Sequence, residues 1–215
     1  ALSTNLAKTF IERANEYIDD NTSLMALYPD RFYGSGEDIV SHMSQLRSHT
    51  KDKIYVHGKT IRNATGGTWD YNSGVINTLF RNGTLRGIKE EHSSLSKSYD
   101  FVSELHPDID VIVAGGSMRR FEFLRSAGAN SFLSGVGNLF PEIEQDYING
   151  DIERSLYIEK KIFNVFMTYG WHKSLRIALD HLGLTCHHDR QPWPKAYQAE
   201  RQQIANIIEE IIGVK

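Results

Sequence analysis

Leu85-Arg86-Gly87-Ile88-Lys89-Glu90 is a short β-type run that follows the turn Asn82-Gly83 and precedes the polar stretch His92-Ser93-Ser94. A lysine at the C-terminal tip of a buried strand carries an amine that partial desolvation turns into a nucleophile toward carbonyl carbon. Lys89 is therefore the first candidate for covalent chemistry. The chain also holds 24 lysines and arginines, a class that folded proteins mostly keep solvated, so the run alone does not separate a catalytic amine from a surface one. A second group of reactive residue types is Cys186-His187-His188-Asp189. Adjacent loop positions rarely converge on one ion without further partners, so no metal site is expected there.

Composition narrows the ligand. At 215 residues and 40% hydrophobic content the chain can bury a substantial core, and its length suits one domain. The net charge is -3, with an isoelectric point near 6.3 and no block of like charges. Neither nucleic acid nor an anionic membrane is expected as a partner; a small molecule is. The single cysteine excludes an intrachain disulfide and fits a reducing cytoplasm. No apolar run approaches the roughly 18 residues that span a bilayer.

The elements that position these residues follow from periodicity. Helical spacing opens at Thr4–Ile18 behind the cap Ser3 and returns at Asp38–Ser48, Tyr71–Phe80, Leu95–Leu105 and Arg119–Ala127. Between these helices lie β-rich runs at Ser23–Leu27, Lys53–His57, Leu85–Lys89, Asp110–Ala114 and Asn130–Gly135. Residues 59–67 read as a polar loop. Beyond Pro141 the pattern is helical: Pro141–Ile148, Ile152–Tyr169, His172–Leu182 and Gln198–Ile212. The repeated strand, loop and helix order argues for parallel strands joined by right-handed crossovers. Five strands fall short of the eight of a (β/α)8 barrel. The alternative, an open doubly wound sheet, lacks support because no G-x-G-x-x-G follows any strand. The expected division is five βα units over residues 1–140 and a helical region over 141–215.

Taken in order, several short motifs become recognisable: Gly87-Ile88-Lys89-Glu90, Ala114-Gly115-Gly116-Ser117, then Gly128-Ala129-Asn130 leading through Ser134 to Asn138 and Pro141. Lys173, Ala178-Leu179-Asp180-His181-Leu182-Gly183-Leu184 and Arg190-Gln191-Pro192-Trp193 follow. This series resembles the dihydrodipicolinate synthase and N-acetylneuraminate lyase family of pyruvate-dependent class I aldolases, over essentially the whole chain and best from Leu85 to Ile212. The resemblance implies an α/β fold, a (β/α)8 TIM barrel with extra C-terminal helices. The five strands would be its fourth to eighth, and the chain would begin at the helix after the third. The family's threonine-bearing loop after the second strand then has no counterpart here.

By the same resemblance Lys89 matches the lysine that ends the sixth strand and forms an imine with pyruvate. No other cofactor is implied. The iminium acts as an electron sink for the neighbouring carbanion. The family's proton-shuttling tyrosine, in a Tyr-Asn pair, is replaced here by Ile54-Tyr55-Val56-His57-Gly58. Tyr55 and His57 share a strand face by period two, and either could act as acid or base beside Lys89. His57 lies nearer the strand's C-terminal end, and Tyr55 reads equally as a packed barrel residue. Arg62 matches the region where the synthase branch grips a second substrate's carboxylate, although a solvated loop arginine fits as well. Tyr28 and Tyr33 align loosely with family tyrosines. Phe132 and Ser134 align with the stretch whose backbone approaches pyruvate, and Gly115 either leaves room for ligand or serves a turn.

The implied partners are pyruvate and an aldehyde, with a synthase of lysine biosynthesis favoured over sugar-acid or sialic-acid cleavage because of Arg62. A homo-oligomer, commonly a tetramer in the family, and a cytoplasmic location follow by the same resemblance. The alternative is a catalytically silent relative with a binding, assembly or regulatory role, motivated by the missing Tyr-Asn pair. A third reading, an α/β protein whose motifs coincide by chance, predicts no carbonyl chemistry at Lys89.

Overall fold

Helix α1 (Thr4–Ala14) is capped by the Ser3 hydroxyl, which accepts the Leu6 N–H at 3.2 Å. It stops before the expected Ile18, where the Asn15 side chain donates to the His49 carbonyl at 2.6 Å and Asn15 takes the C-cap position. The computed structural model describes residues 3–19, 22–29, 35–62, 68–185 and 195–214. The Cys186–Asp189 cluster, Tyr33 and the Arg190-Gln191-Pro192-Trp193 motif lie outside them.

After α1 come β1 (Met25–Ala26), α2 (Gly36–Arg47), β2 (Ile54–Gly58), β3 (Ile61–Arg62), β4 (Thr68–Trp69), α3 (Ser73–Arg81), β5 (Leu85–Glu90), α4 (Leu95–Ser103), β6 (Asp110–Val113), α5 (Ser117–Leu124) and β7 (Ser131–Phe132). Ser35 and Asn72 cap α2 and α3 through their side chains. The stretch expected to be a polar loop instead contains a short antiparallel ribbon, Ile61 opposite Trp69 and Arg62 opposite Thr68. Ile61 is buried there, which gives the ribbon an apolar anchor.

The main sheet has the order β1-β2-β5-β6-β7, and every pairing is parallel. Strand order therefore rises steadily with chain order and never reverses, whereas a doubly wound sheet changes direction at a switch point. Burial alternates with the pleat. Ile54, Val56, Ile88, Val111 and Val113 are buried and pack with Ile39, Met43 and Leu46 of α2, Ile76 and Leu79 of α3, and Phe101 and Val102 of α4. Each such side chain contributes on the order of 2 kcal/mol by leaving water. Tyr55, His57, Lys89 and Ile112 occupy the alternate positions and are only half-buried. One face thus carries the helices, as on the outer wall of a β/α barrel, and the other carries the polar groups.

This α/β unit spans Ala1–Leu133, and a second compact unit spans Ser134–Lys215. The second unit is helical. It contains α6 (Pro141–Ile148), α7 (Ile152–Tyr169), α8 (Trp171–His181) and α9 (Gln198–Val214) around Ile143, Ile158, Ile162, Phe166, Ile177, Ile204 and Ile208. Trp171 packs on Phe166 and covers Gly135 so closely that a Cβ on that glycine would lie 2.3 Å from the indole. None of the helices in the described residues is long and apolar enough to cross a membrane.

Candidate active site

Parallel pairing of β2 with β5 sets His57 opposite Lys89, one residue before each strand ends. Period two puts both side chains on the face away from the helices. Gly58 permits the close approach, because a Cβ there would lie 2.8 Å from the Lys89 carbonyl oxygen. The Lys89 Nζ is 3.2 Å from His57 Nε2, and that same nitrogen is 2.6 Å from Glu91 Oε2. Lys89 Nζ is 3.7 Å from the same carboxylate oxygen. The three groups form a small triangle, with side-chain exposures of 15% for Lys89, 23% for His57 and 34% for Glu91. The amine is withdrawn from bulk water yet reachable.

The hydrogen bond with His57 holds the Glu91 carboxyl below its ordinary range, against the effect of burial, and the charges of Lys89 and Lys59 add to it. Sequence reasoning missed Glu91. The available signal was the alternation itself, since Lys89 and Glu91 are two residues apart and so share a side of the chain. Gly115, just past β6, adopts φ 69, and a Cβ there would sit 3.6 Å from Glu91 Cγ, so the turn after β6 runs beside the triangle.

Between these two residues Glu90 points the other way and is fully buried. Its Oε1 accepts from the His92 backbone N–H at 2.8 Å, from His92 Nδ1 at 2.9 Å and from the Ser98 hydroxyl at 2.7 Å. Arg120 of α5 donates to both carboxylate oxygens, to the His92 carbonyl and to Ser98. Burial pushes the Glu90 carboxyl up, but these donors reverse the effect and hold it at about 2. His92 Nε2 meets the Tyr71 carbonyl at 3.1 Å. Both ring nitrogens thus face acceptors, and despite burial its basicity is raised. This network ties the end of β5 to α4 and α5 directly behind the triangle.

The remaining sequence candidates divide. Tyr55 is turned toward the opposite end of the sheet, where its hydroxyl donates to Asp110 at 2.7 Å and its ring crosses Gly87. Burial and that carboxylate raise its hydroxyl above the ordinary value. Of the pair Tyr55 and His57, only His57 meets Lys89. Phe132 packs on Phe121 of α5, ring centroids 5.4 Å apart, on the helical side. Ser134 belongs to the second unit and accepts the Val136 N–H at 3.1 Å. Arg62 lies in β3, and its side chain is outside the described residues. Tyr28 is buried edge-on against His42. Among the described residues no cluster of His, Cys, Asp or Glu is arranged to hold a metal ion.

Fold and site together define a class, a singly wound parallel β/α sheet of barrel type with a lysine amine and an imidazole at the carboxyl ends of adjacent strands. No protein-family model matches the chain, and no curated protein matches it. Solved structures do. The 4-hydroxy-tetrahydrodipicolinate synthase of Methylacidiphilum fumariolicum aligns with a TM-score of 0.79 at 18% identity, over 99% of this chain and 72% of that one. Dihydrodipicolinate synthase of Thermotoga maritima gives 0.76 at 17% identity, over 97% and 72%. A variant of the Sulfolobus solfataricus 2-keto-3-deoxygluconate aldolase gives 0.76 at 16%, over 99% and 72%. At these identities the likeness is one of fold, and it bears out the barrel-type α/β architecture expected from the sequence.

Proposed function

We propose that the protein is a Schiff-base-forming lyase or synthase that joins or cleaves pyruvate and an aldehyde, with Lys89 as the covalent residue. The observation that carries this reading is the 3.2 Å approach of the Lys89 amine to an imidazole nitrogen at the carboxyl end of paired strands. An amine needs a proton acceptor before it attacks a ketone and a proton donor when water leaves, and an imidazole at hydrogen-bond distance can do both. The fold of the aldolase and synthases named above puts the same chemistry within reach of this architecture. A synthase-type aldehyde bearing a carboxylate is the favoured second substrate, on the strength of Arg62 in the sequence.

Sodium borohydride added with pyruvate reduces an imine to a stable secondary amine. The expected result is a pyruvyl-derived mass increment on the peptide containing Lys89, absent without pyruvate and absent in Lys89→Arg. No label on the wild-type chain would sink the proposal. A second reading, a catalytically silent relative that binds a keto acid, is favoured by one observation: the Tyr55 hydroxyl is committed to Asp110. It predicts pyruvate binding without a borohydride-stable adduct.

A further inference from the structure

His57 Nε2 stands 2.6 Å from the Glu91 carboxylate and 3.2 Å from the Lys89 amine. A ring nitrogen offers one direction for a proton or a lone pair, so it cannot serve both neighbours at once. With a proton on Nε2 it donates to Glu91. With Nε2 bare its one lone pair accepts from a Lys89 ammonium, and Glu91 stands beside that bond. The bare nitrogen is the form that can take a proton from the amine, and Glu91 is placed to accept a hydrogen bond from Nε2 once it has done so. Moving a proton from Lys89 to His57 also brings the positive charge from 3.7 Å to 2.6 Å of Glu91 Oε2. Glu91 is therefore nearer to the imidazolium formed by that transfer than to the ammonium it replaces.

We infer that Glu91 is a positioning residue that makes His57 Nε2 the proton carrier for imine formation at Lys89, an inference that rests on the Schiff-base reading above. The steps balance as follows. Nε2 takes one proton from the Lys89 ammonium, leaving a neutral amine and an imidazolium bonded to Glu91. The amine nitrogen forms a bond to the ketone carbon as the carbonyl π pair moves to oxygen. A second proton passes from nitrogen to that oxygen, giving the neutral carbinolamine. Nε2 then returns its proton to the hydroxyl, the C–O bond breaks, water leaves, and the nitrogen lone pair closes the iminium. The charged groups facing His57 are Lys89 and Glu91, and Lys59 adds its charge near Glu91.

Several features suit Glu91 to this task. It follows the strand end directly, so its backbone is anchored by Glu90, whose carboxylate is locked behind it by Arg120 and His92. The turn at Gly115 runs beside its Cγ without crowding it, since even a Cβ there would lie at the ordinary contact distance of 3.6 Å. Its own hydrogen bond with His57 keeps it a carboxylate.

The test is timed borohydride quenching of the full chain with pyruvate, in wild type, Glu91→Gln, His57→Gln and the double variant. Glu91→Gln is expected to slow label accumulation by about tenfold, less than the ~10²–10⁴ of a whole acid–base contribution because His57 itself is retained, while reaching the same final labelled fraction. In the His57→Gln background the same change should cost nothing further, since Glu91 acts through His57. The His57 Nε2 resonance in nitrogen NMR should move in Glu91→Gln. An unchanged rate in Glu91→Gln, equal slowing in both backgrounds, or an unmoved resonance overturns the inference. If Glu91→Gln does not fold, Glu91→Asp, which keeps the charge one methylene farther back, should give an intermediate rate, and a wild-type rate there overturns it too. Absence of label in wild type is a separate outcome: it removes the Schiff-base reading and this inference with it.

Discussion

An amine 15% exposed with an imidazole 3.2 Å away and a carboxylate 3.7 Å away is held by its neighbours rather than by solvent. Lys89→Arg keeps a positive charge but offers no amine able to form an imine, so trapping should vanish while thermal stability stays within about 1 kcal/mol of wild type, as checked by calorimetry. Tyr55→Phe separates the two sequence candidates for the acid–base role. Loss of its bond to Asp110 is expected to cost about 1 kcal/mol in urea denaturation and to change the trapping rate by no more than about twofold. A tenfold slower rate would return Tyr55 to the reaction. Lys89 and His57 were legible because each ends a β-rich run and a turn or glycine follows. Glu91 was harder to read, because it lies beyond the end of β5 and only its two-residue offset from Lys89 places it on the same side.

Strand β5 depends on its glycine as much as on its lysine. A Cβ at Gly87 would fall 2.4 Å from the Asp110 carbonyl oxygen and 2.5 Å from the Tyr55 ring, and neither the paired backbone nor a ring hydrogen-bonded at its far end can yield cheaply. Gly87→Ala is therefore expected to destabilise the chain by about 1–3 kcal/mol in urea titration. An equally stable variant would mean that β5 and β6 separate without penalty. The parallel strands and the helices were readable because each repeats an apolar period long enough to count. The ribbon of β3 and β4 was not, because two-residue strands carry no period, and Ile61 alone among polar neighbours gives no sign that it will be buried. Nor does a linear reading show that Glu90, between two residues of the candidate site, turns inward to Arg120.

Among the described residues, the buried groups His42, Glu90 and His92 each make the stability of the chain depend on pH between 2 and the alkaline side of 6.5. His42 is pushed down to about 4 by burial; its Nδ1 meets Thr4 Oγ1 at 2.8 Å, and among the described residues its Nε2 has no hydrogen-bond partner. Folding therefore favours the neutral ring, and this stability is complete above the ordinary value of 6.5 and lost as pH falls toward 4, on the order of 3 kcal/mol in all. Glu90, lowered from 4.5 to about 2, acts in the same direction but later: its contribution is present above 4.5 and disappears as pH falls toward 2. His92 acts oppositely. Its basicity is raised, so its contribution is complete below 6.5 and is lost as pH rises through the folded-state value. The free energy of unfolding should thus peak near pH 6.5, decline toward pH 4, steepen below 4.5 and decline again on the alkaline side. Urea denaturation from pH 3 to 9 tests the profile, and two variants assign its limbs. His42→Leu should flatten the slope between 6.5 and 4 whatever it does to stability at neutral pH, and His92→Gln should remove the alkaline decline. If the slope between 6.5 and 4 survives in His42→Leu, the buried imidazole of α2 is not what the acid limb reports, and the charge balance of the fold lies elsewhere.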